Sequence, residues 1–525
     1  MRTHLHHLLD EQARDRGGRP AVTYQDRTVD YATLSGCVHA LAAGLRRLGL
    51  ERGDRLATFL DKRVEGVEAI FAASAAGAVF VPVNPLLKPG QVAHVLADCD
   101  VRVLVTSAAR WEQLGAVADD LPALEHVLLV GGGVVPQADA SDARVLLHDY
   151  AAVVARGGDG RLQAMSEVDT DVAAILYTSG STGRPKGVVL SHRNLLVGAE
   201  SVSTYLRNDE DDVILAALPL SFDAGLSQLT TAFSVGAHVV LMNYLLPADV
   251  VRLCARHGVT GLTAVPPLWL QLTSVPWPAE ARRLRYFANT GGRMPAPTLA
   301  RLRELFPAAA PYLMYGLTEA FRSTYLDPGQ VDRRPDSIGR AIPDAEILVV
   351  RPDGSPAGPG EEGELVHRGP LVALGYWNDP ERTAHRFRAL PGPQPTWRAP
   401  ELAVWSGDTV VADDEGYLYF VGRDDDMIKT SGYRVSPTEI EEVAYGTGLV
   451  GDAVALGVED DRLGQRVVLV ATSAGPGPLD TIALLAAMRT RLARFMVPAE
   501  VREMEMLPRS PNGKFDRTLL RKEVT

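Results

Sequence analysis

Cysteine is scarce in this chain, and long apolar runs are missing from it. Only three cysteines occur among 525 residues, and they form neither a C-x-x-C pair nor a spacing typical of metal ligands. No run of about 18 apolar residues is present, and the amino-terminal segment lacks the apolar core of a signal peptide. We therefore expect a cytoplasmic protein with buried, reduced thiols and no association with membranes.

Positive charge is also in deficit. The chain has 53 Lys and Arg against 65 Asp and Glu, which gives a formal net charge of -12. This balance argues against non-specific binding to nucleic acid or to an anionic membrane, so any bound anion must be held by local groups. The length exceeds what a single hydrophobic core supports and predicts two or more domains.

Strand-like and helix-like segments alternate over 21–130 and again over 213–265, as in the βαβ units of a mostly parallel sheet. The later sequence is β-rich, with Asp-Gly and Pro-Gly turns typical of hairpins. We predict an α/β protein with a large N-terminal domain of two α/β sheet layers plus a β-rich subdomain, and a small α/β C-terminal domain. The polar run at 422–429 places the boundary between domains 1–424 and 425–525.

The loop at 177–188 has the composition of a phosphate-binding loop and reads Y-T-S-G-S-T-G-R-P-K-G-V. Glycine lets backbone N–H groups approach an anion, hydroxyl groups donate to phosphoryl oxygens, and a lysine adds a mobile positive charge. The loop lies between an apolar run and a helix-like segment with Ser191 at its N-cap, so we predict the order strand, loop, helix. The predicted phosphate ligands are Thr178, Ser179, Gly180, Ser181, Thr182, Gly183 and Lys186.

This loop is not a Walker A sequence, because Lys186 is followed by glycine rather than by Ser or Thr. It resembles the phosphate-binding signature of the adenylate-forming enzymes, a superfamily of acyl- and aryl-CoA synthetases, nonribosomal-peptide adenylation domains and firefly luciferase. Further matches extend the resemblance over essentially the whole chain, namely Asn289-Thr-Gly-Gly292, Tyr315-Gly-Leu-Thr-Glu319, Trp405-Ser-Gly-Asp408, Gly422-Arg423 and the segment ending at Lys514.

The resemblance assigns most of these residues to ATP. Tyr315 is expected to stack on adenine beside Gly316, Thr318 to contact the α-phosphate, and Glu319 to bind Mg²⁺, a cation that prefers oxygen ligands. Taken alone, the same pentapeptide is also compatible with a strand-end turn that exposes a carboxylate, although the functional interpretation is favoured. The ribose clamp and the segment bordering adenine and acid would be formed by Asp408, Arg423, Thr290, Gly291 and Gly292.

Two further matches imply that the C-terminal domain is mobile. Asp425 matches the hinge about which this domain rotates between half-reactions, and Lys514 matches the catalytic lysine that enters the site for the first of them. An ammonium group near the α-phosphorus stabilises the negative charge that builds up as a carboxylate attacks. In the second half-reaction the segment 431–435 would face the site and line a pantetheine tunnel.

The segment Leu218–Gly225 bears on the identity of the acid. Amino-acid-activating members of the superfamily carry Phe-Asp here, as in Phe222-Asp223, and the aspartate pairs with the substrate ammonium, whereas acyl-CoA synthetases commonly carry Phe-His. The alternative is that Asp223 only caps a helix beginning near Ala224. An aspartate among apolar neighbours is costly to bury without a cation, which favours the ammonium.

The same segment and the one at 318–325 resemble stand-alone enzymes that activate β-amino acids for macrolactam polyketide pathways. They also resemble acyl-CoA-ligase-like proteins encoded with bacterial exopolysaccharide systems. In the first group the position of Phe321 contributes to the side-chain pocket, so a phenylalanine indicates an apolar or aromatic substrate, while Arg322 could instead pair a second carboxylate. The predicted acid-binding residues are Phe222, Asp223, Gly225, Thr290, Phe321 and Arg322.

The resemblance thus implies a ligase that forms an aminoacyl adenylate from ATP and passes the acyl group to the phosphopantetheine thiol of a separate acyl carrier protein. An acyl-CoA ligase that joins a fatty or aryl acid to free CoA is the alternative. A non-catalytic nucleotide-binding regulator is disfavoured because the charged residues of the motifs are all present. A kinase is the remaining option, and release of pyrophosphate in place of ADP would exclude it.

Overall fold

A computed structural model describes most of the chain, and within the described residues it contains three β-sheets flanked by helices. The described residues are 2–132, 144–160, 168–178, 185–390, 396–397, 399–423, 427–475, 477–508 and 515–524. The predicted α/β architecture, with a large N-terminal part and a small C-terminal part, is confirmed by this arrangement.

The largest sheet changes from parallel to antiparallel along its width. The first part begins with the antiparallel edge strand Arg27–Asp30 and continues in parallel through Pro20–Tyr24, His238–Leu241, Val213–Ala216, Gly261–Ala264, Tyr286–Asn289 and Ala310–Tyr315. The antiparallel part continues through Thr324–Leu326, Ser337–Ala341, Leu418–Arg423, Leu402–Ala412, Glu362–Arg368 and Glu346–Val350, with Phe387–Ala389 beside Leu402–Ala412. The predicted β-rich subdomain corresponds to this second part.

The second sheet contains the ends of the glycine-rich loop. Its strands, in spatial order, are Gly375–Tyr376, Lys186–Ser191, Val172–Thr178, Val79–Pro82, Arg55–Phe59, Val101–Ser107, His126–Val130 and Leu146–Asp149. Val172–Thr178 and Lys186–Ser191 pair antiparallel, so the loop joins the two strands of a hairpin.

The predicted order strand, loop, helix is therefore wrong, because the strand Lys186–Ser191 lies between the loop and the helix His192–Leu206. The predicted cap itself is present. The Ser191 hydroxyl accepts from the Asn194 N–H at 3.2 Å, and the Asn194 side chain accepts from the Ser191 N–H at 2.8 Å. This reciprocal pair satisfies N–H groups at the helix start, so they are not presented to a phosphate.

The third sheet is built entirely from strands that follow residue 427. Its strands are Tyr433–Val435, Ile428–Thr430, Gly464–Ser473 and Val450–Asp460, with Glu500–Glu503 parallel to Gly464–Ser473. Three helices accompany it, Pro437–Tyr445, Thr481–Arg491 and Arg517–Val524. The predicted domain boundary falls at 424–426, outside the described residues, and stays a prediction.

The remaining helices cover the first two sheets. They are His7–Arg16, Tyr31–Arg47, Val64–Ala75, Pro89–Asp98, Ala108–Leu114, Tyr150–Gly157, Asp223–Val235, Pro247–His257, Pro266–Thr273, Ala296–Leu305 and Pro380–Arg386. Short 3₁₀ helices occur at Gly115–Asp120, Ala279–Ala281, Thr318–Ala320, Pro328–Gln330 and Arg494–Met496. The main core lies between the two large sheets and is filled by Tyr31–Arg47, Val64–Ala75, His192–Leu206 and Asp223–Val235. Among these described helices, none is both long enough and apolar enough to cross a membrane.

Two of the three cysteines behave as predicted. Cys99 and Cys254 are buried and carry free thiols, and burial raises the pKa of each to about 12. Cys37 is also a free thiol but is only half-buried. The thiols of Cys99 and Cys254 are therefore held in their protonated, unreactive form.

Candidate active site

A cavity of about 630 Å³ lies where the parallel strands of the largest sheet end and the third sheet approaches them. Ligands of open α/β sheets commonly bind at this carboxyl edge. Eleven of the predicted site residues line this cavity, namely Thr178, Phe222, Asp223, Thr290, Gly291, Gly292, Tyr315, Gly316, Thr318, Glu319 and Arg322. The predicted residues that lie outside the described part of the chain are Ser179, Gly180, Ser181, Thr182, Gly183, Asp425 and Lys514.

Tyr315 and Asp408 meet at one end of the cavity. Tyr315 ends the strand Ala310–Tyr315, and its hydroxyl donates to the Asp408 carboxylate. Asp408 is 2% exposed and lies on the strand Leu402–Ala412, opposite the backbone of Arg423. An aromatic face beside a buried carboxylate suits a nucleoside, because the ring can stack on a base while the carboxylate accepts from ribose hydroxyls.

Lys186, Glu319 and Tyr376 form a polar triad beside this end. Lys186 Nζ donates to Glu319 Oε1 at 2.9 Å and to the Tyr376 hydroxyl at 2.6 Å, and that hydroxyl donates to the same carboxylate oxygen at 2.6 Å. Burial alone raises the pKa of Glu319, but Lys186, Arg386 and Tyr376 together hold it well below its usual range. Glu319 is therefore an ionised, buried carboxylate that already binds one cation.

Tyr376 and Arg386 were not found from the sequence. Tyr376 lies on the two-residue strand Gly375–Tyr376, and Arg386 is the last residue of the helix Pro380–Arg386. A tyrosine in a short apolar run is indistinguishable from a core residue until the second sheet brings it to Lys186. The positive φ of 142° at Gly375, immediately before it, is a feature of the backbone and not of the residue pattern.

Asp223 and Arg322 form the second charged pair of the cavity. Arg322 Nη1 lies 3.1 Å from Asp223 Oδ2, and their side chains are 3% and 16% exposed. Burial raises the pKa of the Asp223 carboxyl, while the Arg322 guanidinium opposes this shift. Asp223 is the first residue of the helix Asp223–Val235, and Phe222 occupies the N-cap position, so Asp223 is not the N-cap residue, although its carboxylate has a backbone hydrogen bond with Ala224.

The prediction that Phe321 lines the acid pocket is wrong. Its side chain is fully buried in the core, and a Cβ placed on Gly198 would lie 2.6 Å from Phe321 Cδ1. Phe321 has φ 57° and ψ -51°, and the Arg322 N–H donates to the Ala320 carbonyl, which together make a strained γ-turn. The turn sends the Phe321 ring into the core and leaves Arg322 facing the cavity.

The prediction that Gly225 is an acid-binding residue is also wrong. Gly225 does not line the cavity, and a Cβ at this position would lie 1.8 Å from the carbonyl oxygen of Pro219. The Phe222 N–H donates to that same carbonyl at 3.1 Å. Glycine is therefore required here by the tight bend that begins the helix Asp223–Val235, and it does not enlarge the pocket.

The third sheet supplies one wall of the cavity. Tyr433 stacks on Phe495 with 3.8 Å between ring centroids, and its ring meets Phe222 edge-on at 5.1 Å. Gln91 Nε2 donates to Glu439 Oε1 at 2.8 Å, and burial raises the pKa of Glu439 to about 7. The segment 431–435 contributes Gly432, Tyr433 and Arg434 to the lining of the cavity.

Polar atoms of several cavity-lining residues are buried and have no hydrogen-bond partner within the described residues. Among them are Thr178 Oγ1, Ser221 Oγ, Asn289 Oδ1 and Arg322 Nε. Buried polar atoms are normally paired, so these atoms indicate a place prepared for a polar ligand. Ser221 was not predicted from the sequence, although it immediately precedes Phe222 in the segment that bears on the acid.

Comparison with known proteins gives matches along nearly the whole chain. Residues 9–377 match the family described as AMP-binding enzyme, and residues 439–514 match the AMP-binding enzyme C-terminal domain. A feruloyl-CoA synthase from Amycolatopsis sp is 33% identical over 499 residues, covering 94% of this chain and 94% of that protein. The L-proline--[L-prolyl-carrier protein] ligase of Streptomyces coelicolor is 33% identical over 524 residues, covering 97% and 94%.

Solved structures give the same result. The amide bond synthetase McbA from Marinactinospora thermotolerans superimposes with a TM-score of 0.85 at 25% identity, covering 99% of each chain. A double mutant of o-succinylbenzoate CoA synthetase from Bacillus subtilis, bound to a product analogue, superimposes with a TM-score of 0.81 at 26% identity, covering 98% of this chain and 97% of that one.

Proposed function

Since this chain belongs to the AMP-binding enzyme family of adenylating ligases, we propose that it activates an amino acid and loads it onto a carrier protein. The acid would become an aminoacyl adenylate with release of pyrophosphate. The phosphopantetheine thiol of a separate acyl carrier protein would then displace AMP. The observation that carries the amino-acid part is the buried carboxylate of Asp223 in the cavity wall.

Asp223 suits an ammonium group because its carboxylate is largely shielded from water and therefore needs a cationic partner. Arg322 contacts Asp223 Oδ2 and balances its charge when no substrate is bound. Burial raises the pKa of Asp223, and Arg322 partly opposes this shift. A substrate ammonium beside the same carboxylate would add a second cation and lower the pKa. Because Arg322 already has this partner, binding of a second substrate carboxylate by Arg322 is less well supported.

The finer assignment, a β-amino acid with an apolar side chain, rests on the resemblance and on the apolar walls of the cavity. Phe321 no longer supports it, because its ring lies in the core. The side chains of Val265, Met294, Met314 and Ile338 line the cavity and would accept an apolar group. A β-amino acid would place its ammonium one bond farther from the carboxylate than an α-amino acid does.

In the first half-reaction a carboxylate oxygen of the acid attacks the α-phosphorus of ATP, and the bond to the pyrophosphate oxygen breaks. Tyr315 would hold adenine, Asp408 the ribose, and Thr318 the α-phosphate. Lys514 would stabilise the charge that develops in the transition state. The glycine-rich loop, with Lys186, would hold the β- and γ-phosphates.

Glu319 fits a magnesium ion because it is an ionised carboxylate that is already paired with a cation. Mg²⁺ is commonly held by one or two carboxylates together with substrate phosphates, and it would neutralise part of the triphosphate charge. Lys186, released from Glu319, would then be able to contact phosphoryl oxygens. Tyr376 would keep the Glu319 carboxylate oriented through its hydrogen bond.

The experiment measures pyrophosphate release with ATP and Mg²⁺ across α-amino acids, β-amino acids, fatty acids and aryl acids. We expect turnover with β-amino acids that exceeds that with the other classes by about tenfold or more, the factor associated with about 1.4 kcal/mol. Preferred turnover with fatty or aryl acids would contradict the proposal and favour a CoA ligase. Thioester formation with the same acid, compared between free CoA and a phosphopantetheinylated carrier protein, separates the two acceptors.

Replacing Gly432 by alanine is expected to impair thiol transfer more than adenylation. Gly432 has φ 82°, and a Cβ there would lie 2.8 Å from Val265 Cγ2 at the wall of the cavity. The added methyl group would push the third sheet away from the largest sheet. Only the second half-reaction is expected to need these two sheets in close contact. We expect thioester formation to fall by about tenfold or more while pyrophosphate release changes by less than about twofold.

Gly448→Ala is the matched control for the Gly432 variant, since Gly448 also has a positive φ but has open space around it. It imposes similar backbone strain away from the cavity. An equal loss of both half-reactions in Gly432→Ala would show that the residue does not act on the second step alone.

A further inference from the structure

Lys62 is a buried lysine that lies outside the cavity lining. It is 7% exposed, and its Nζ donates to the carbonyl oxygens of Ala216, Ala217 and Leu218 at 2.8, 2.8 and 2.9 Å. The three donors of the ammonium group are therefore all used. Among the described residues no carboxylate forms an ion pair with Lys62. Burial lowers the pKa of its ammonium group to about 7. A buried charge without a counter-ion is costly, so its retention calls for an explanation.

The backbone of Lys62 is fixed from both sides by one side chain. Asn243 Oδ1 accepts from the Lys62 N–H at 2.8 Å, and Asn243 Nδ2 donates to the Lys62 carbonyl at 2.9 Å. The neighbouring charged residues are paired elsewhere, Asp61 with Arg110 and Arg63 with Glu65. The Lys62 backbone is thus held in place while its ammonium group contacts the three carbonyl oxygens.

These carbonyls belong to the segment that leads into the acid-binding residues. The strand Val213–Ala216 ends there, and the chain turns through 217–221 before Phe222 and Asp223 reach the cavity. Gln228 holds the same turn from the other side, because it accepts from the Leu218 N–H at 3.2 Å and donates to the Leu215 carbonyl at 2.9 Å. Two polar side chains from distant elements therefore define one short turn.

We propose that Lys62 is a positioning residue for the acid substrate. Its ammonium draws three successive carbonyl groups to one point and so fixes the turn that aims Phe222 and Asp223 into the cavity. The inference rests on the proposed acid-binding role of Asp223, and it adds a residue that touches neither acid nor ATP. A side chain without hydrogen-bond donors at position 62 leaves three buried carbonyl oxygens without a partner.

The test replaces Lys62 by methionine, which keeps the length of the side chain but removes the charge and the donors. In the full-length variant we expect the KM for the acid to rise by about tenfold or more, while the KM for ATP changes by less than about twofold. Hydrogen exchange is expected to accelerate by a similar factor at the amides of Leu218 and Phe222, which the turn holds in hydrogen bonds.

Two control variants separate positioning from loss of stability. Lys522→Met makes the same chemical change on the exposed face of the last helix and is expected to alter neither KM. Leu128→Ala opens a cavity in the second sheet, at a side chain that is fully buried, and lowers overall stability without contacting the turn. If Leu128→Ala raises the KM for the acid as much as Lys62→Met does, the effect is general destabilisation and the inference is overturned.

A second variant keeps the inference testable if Lys62→Met does not fold. Asn243→Ala retains the ammonium but frees the Lys62 backbone, and it should produce a smaller change with the same selectivity for the acid over ATP. Unchanged exchange in the turn, with unchanged KM for the acid, would refute the positioning role. The hydrogen-exchange measurement does not require the acid to be identified. It therefore tests the effect of Lys62 on the turn even if the proposed β-amino-acid function is wrong.

Discussion

Replacing Asp223 by alanine is expected to lower kcat/KM for amino-acid-dependent pyrophosphate release by about a hundredfold or more. The substrate ammonium loses its partner, and Arg322, which is 3% exposed, is left as a buried cation without its carboxylate. Both effects act on the acid and not on the nucleotide. The KM for ATP should therefore stay within about twofold of that of the wild type.

Asp223→Asn is the matched control, because it keeps the volume and removes only the charge. It should lose activity nearly as strongly as the alanine variant. The double variant Asp223→Ala with Arg322→Met removes both charges and should regain thermal stability without regaining activity, because it leaves no uncompensated buried charge. Turnover that is indifferent to Asp223 would remove the support for an amino-acid substrate and favour a neutral acid.

Replacing Lys186 by methionine is expected to abolish adenylation and to lower the free energy of unfolding by about 3–5 kcal/mol. Glu319 is 2% exposed, and Lys186 is its first cationic partner at 2.9 Å. Without the ammonium, only Arg386 and Tyr376 oppose the effect of burial, so the pKa of Glu319 lies higher than in the wild type. Denaturant unfolding at neutral pH, followed with and without ATP and Mg²⁺, measures the loss.

The pH dependence of this loss follows from the sign of the shift. In the wild type the pKa of Glu319 is depressed, so its pair contributes stability above the usual glutamate range and loses it only in strong acid. In the variant the pKa of Glu319 lies higher than in the wild type, so less of this stability is present at neutral pH. The difference in stability should therefore shrink as the pH falls through the usual glutamate pKa of about 4.5 and below it.

Lys186→Met with Glu319→Gln should recover most of the stability and none of the activity, since no buried charge is left unpaired. Lys88→Met removes a lysine whose ammonium forms no ion pair within the described residues, and it is the control for loss of a positive charge. A Lys186 variant that is as stable as the wild type at neutral pH would contradict the interpretation of the pair as a buried, interdependent unit.

The order of strands and helices could largely be predicted from the sequence, because local alternation reports directly on βαβ units. The two ranges of predicted alternation, 21–130 and 213–265, contain the strands Arg55–Phe59, Val101–Ser107, Val213–Ala216 and Gly261–Ala264, which all pair in parallel. The strand Lys186–Ser191 was missed because its short apolar run lies directly before a genuine helix cap. Local patterns do not say whether such a run pairs with a neighbour or begins a helix.

The site was only partly predictable for a related reason. Sequence motifs indicate which residues lie near one another along the chain, but not the direction in which a side chain leaves the backbone. Phe321 and Arg322 are adjacent, yet a γ-turn sends one into the core and the other into the cavity. Tyr376 and Lys62 reach their partners only through contacts between elements far apart in sequence, and no local signal marks either residue.

Gly198 and Phe321 limit the order in which mutations can accumulate in this protein over evolutionary time. The two residues lie on different elements, and any side chain at position 198 would meet the phenyl ring, with 2.6 Å between its Cβ and Phe321 Cδ1. The ring is fully buried in the core, so it can move aside only if its neighbours move as well. A lineage can therefore enlarge residue 198 only after residue 321 has become smaller. Ancestry thus constrains which side chains can pack in this part of the core.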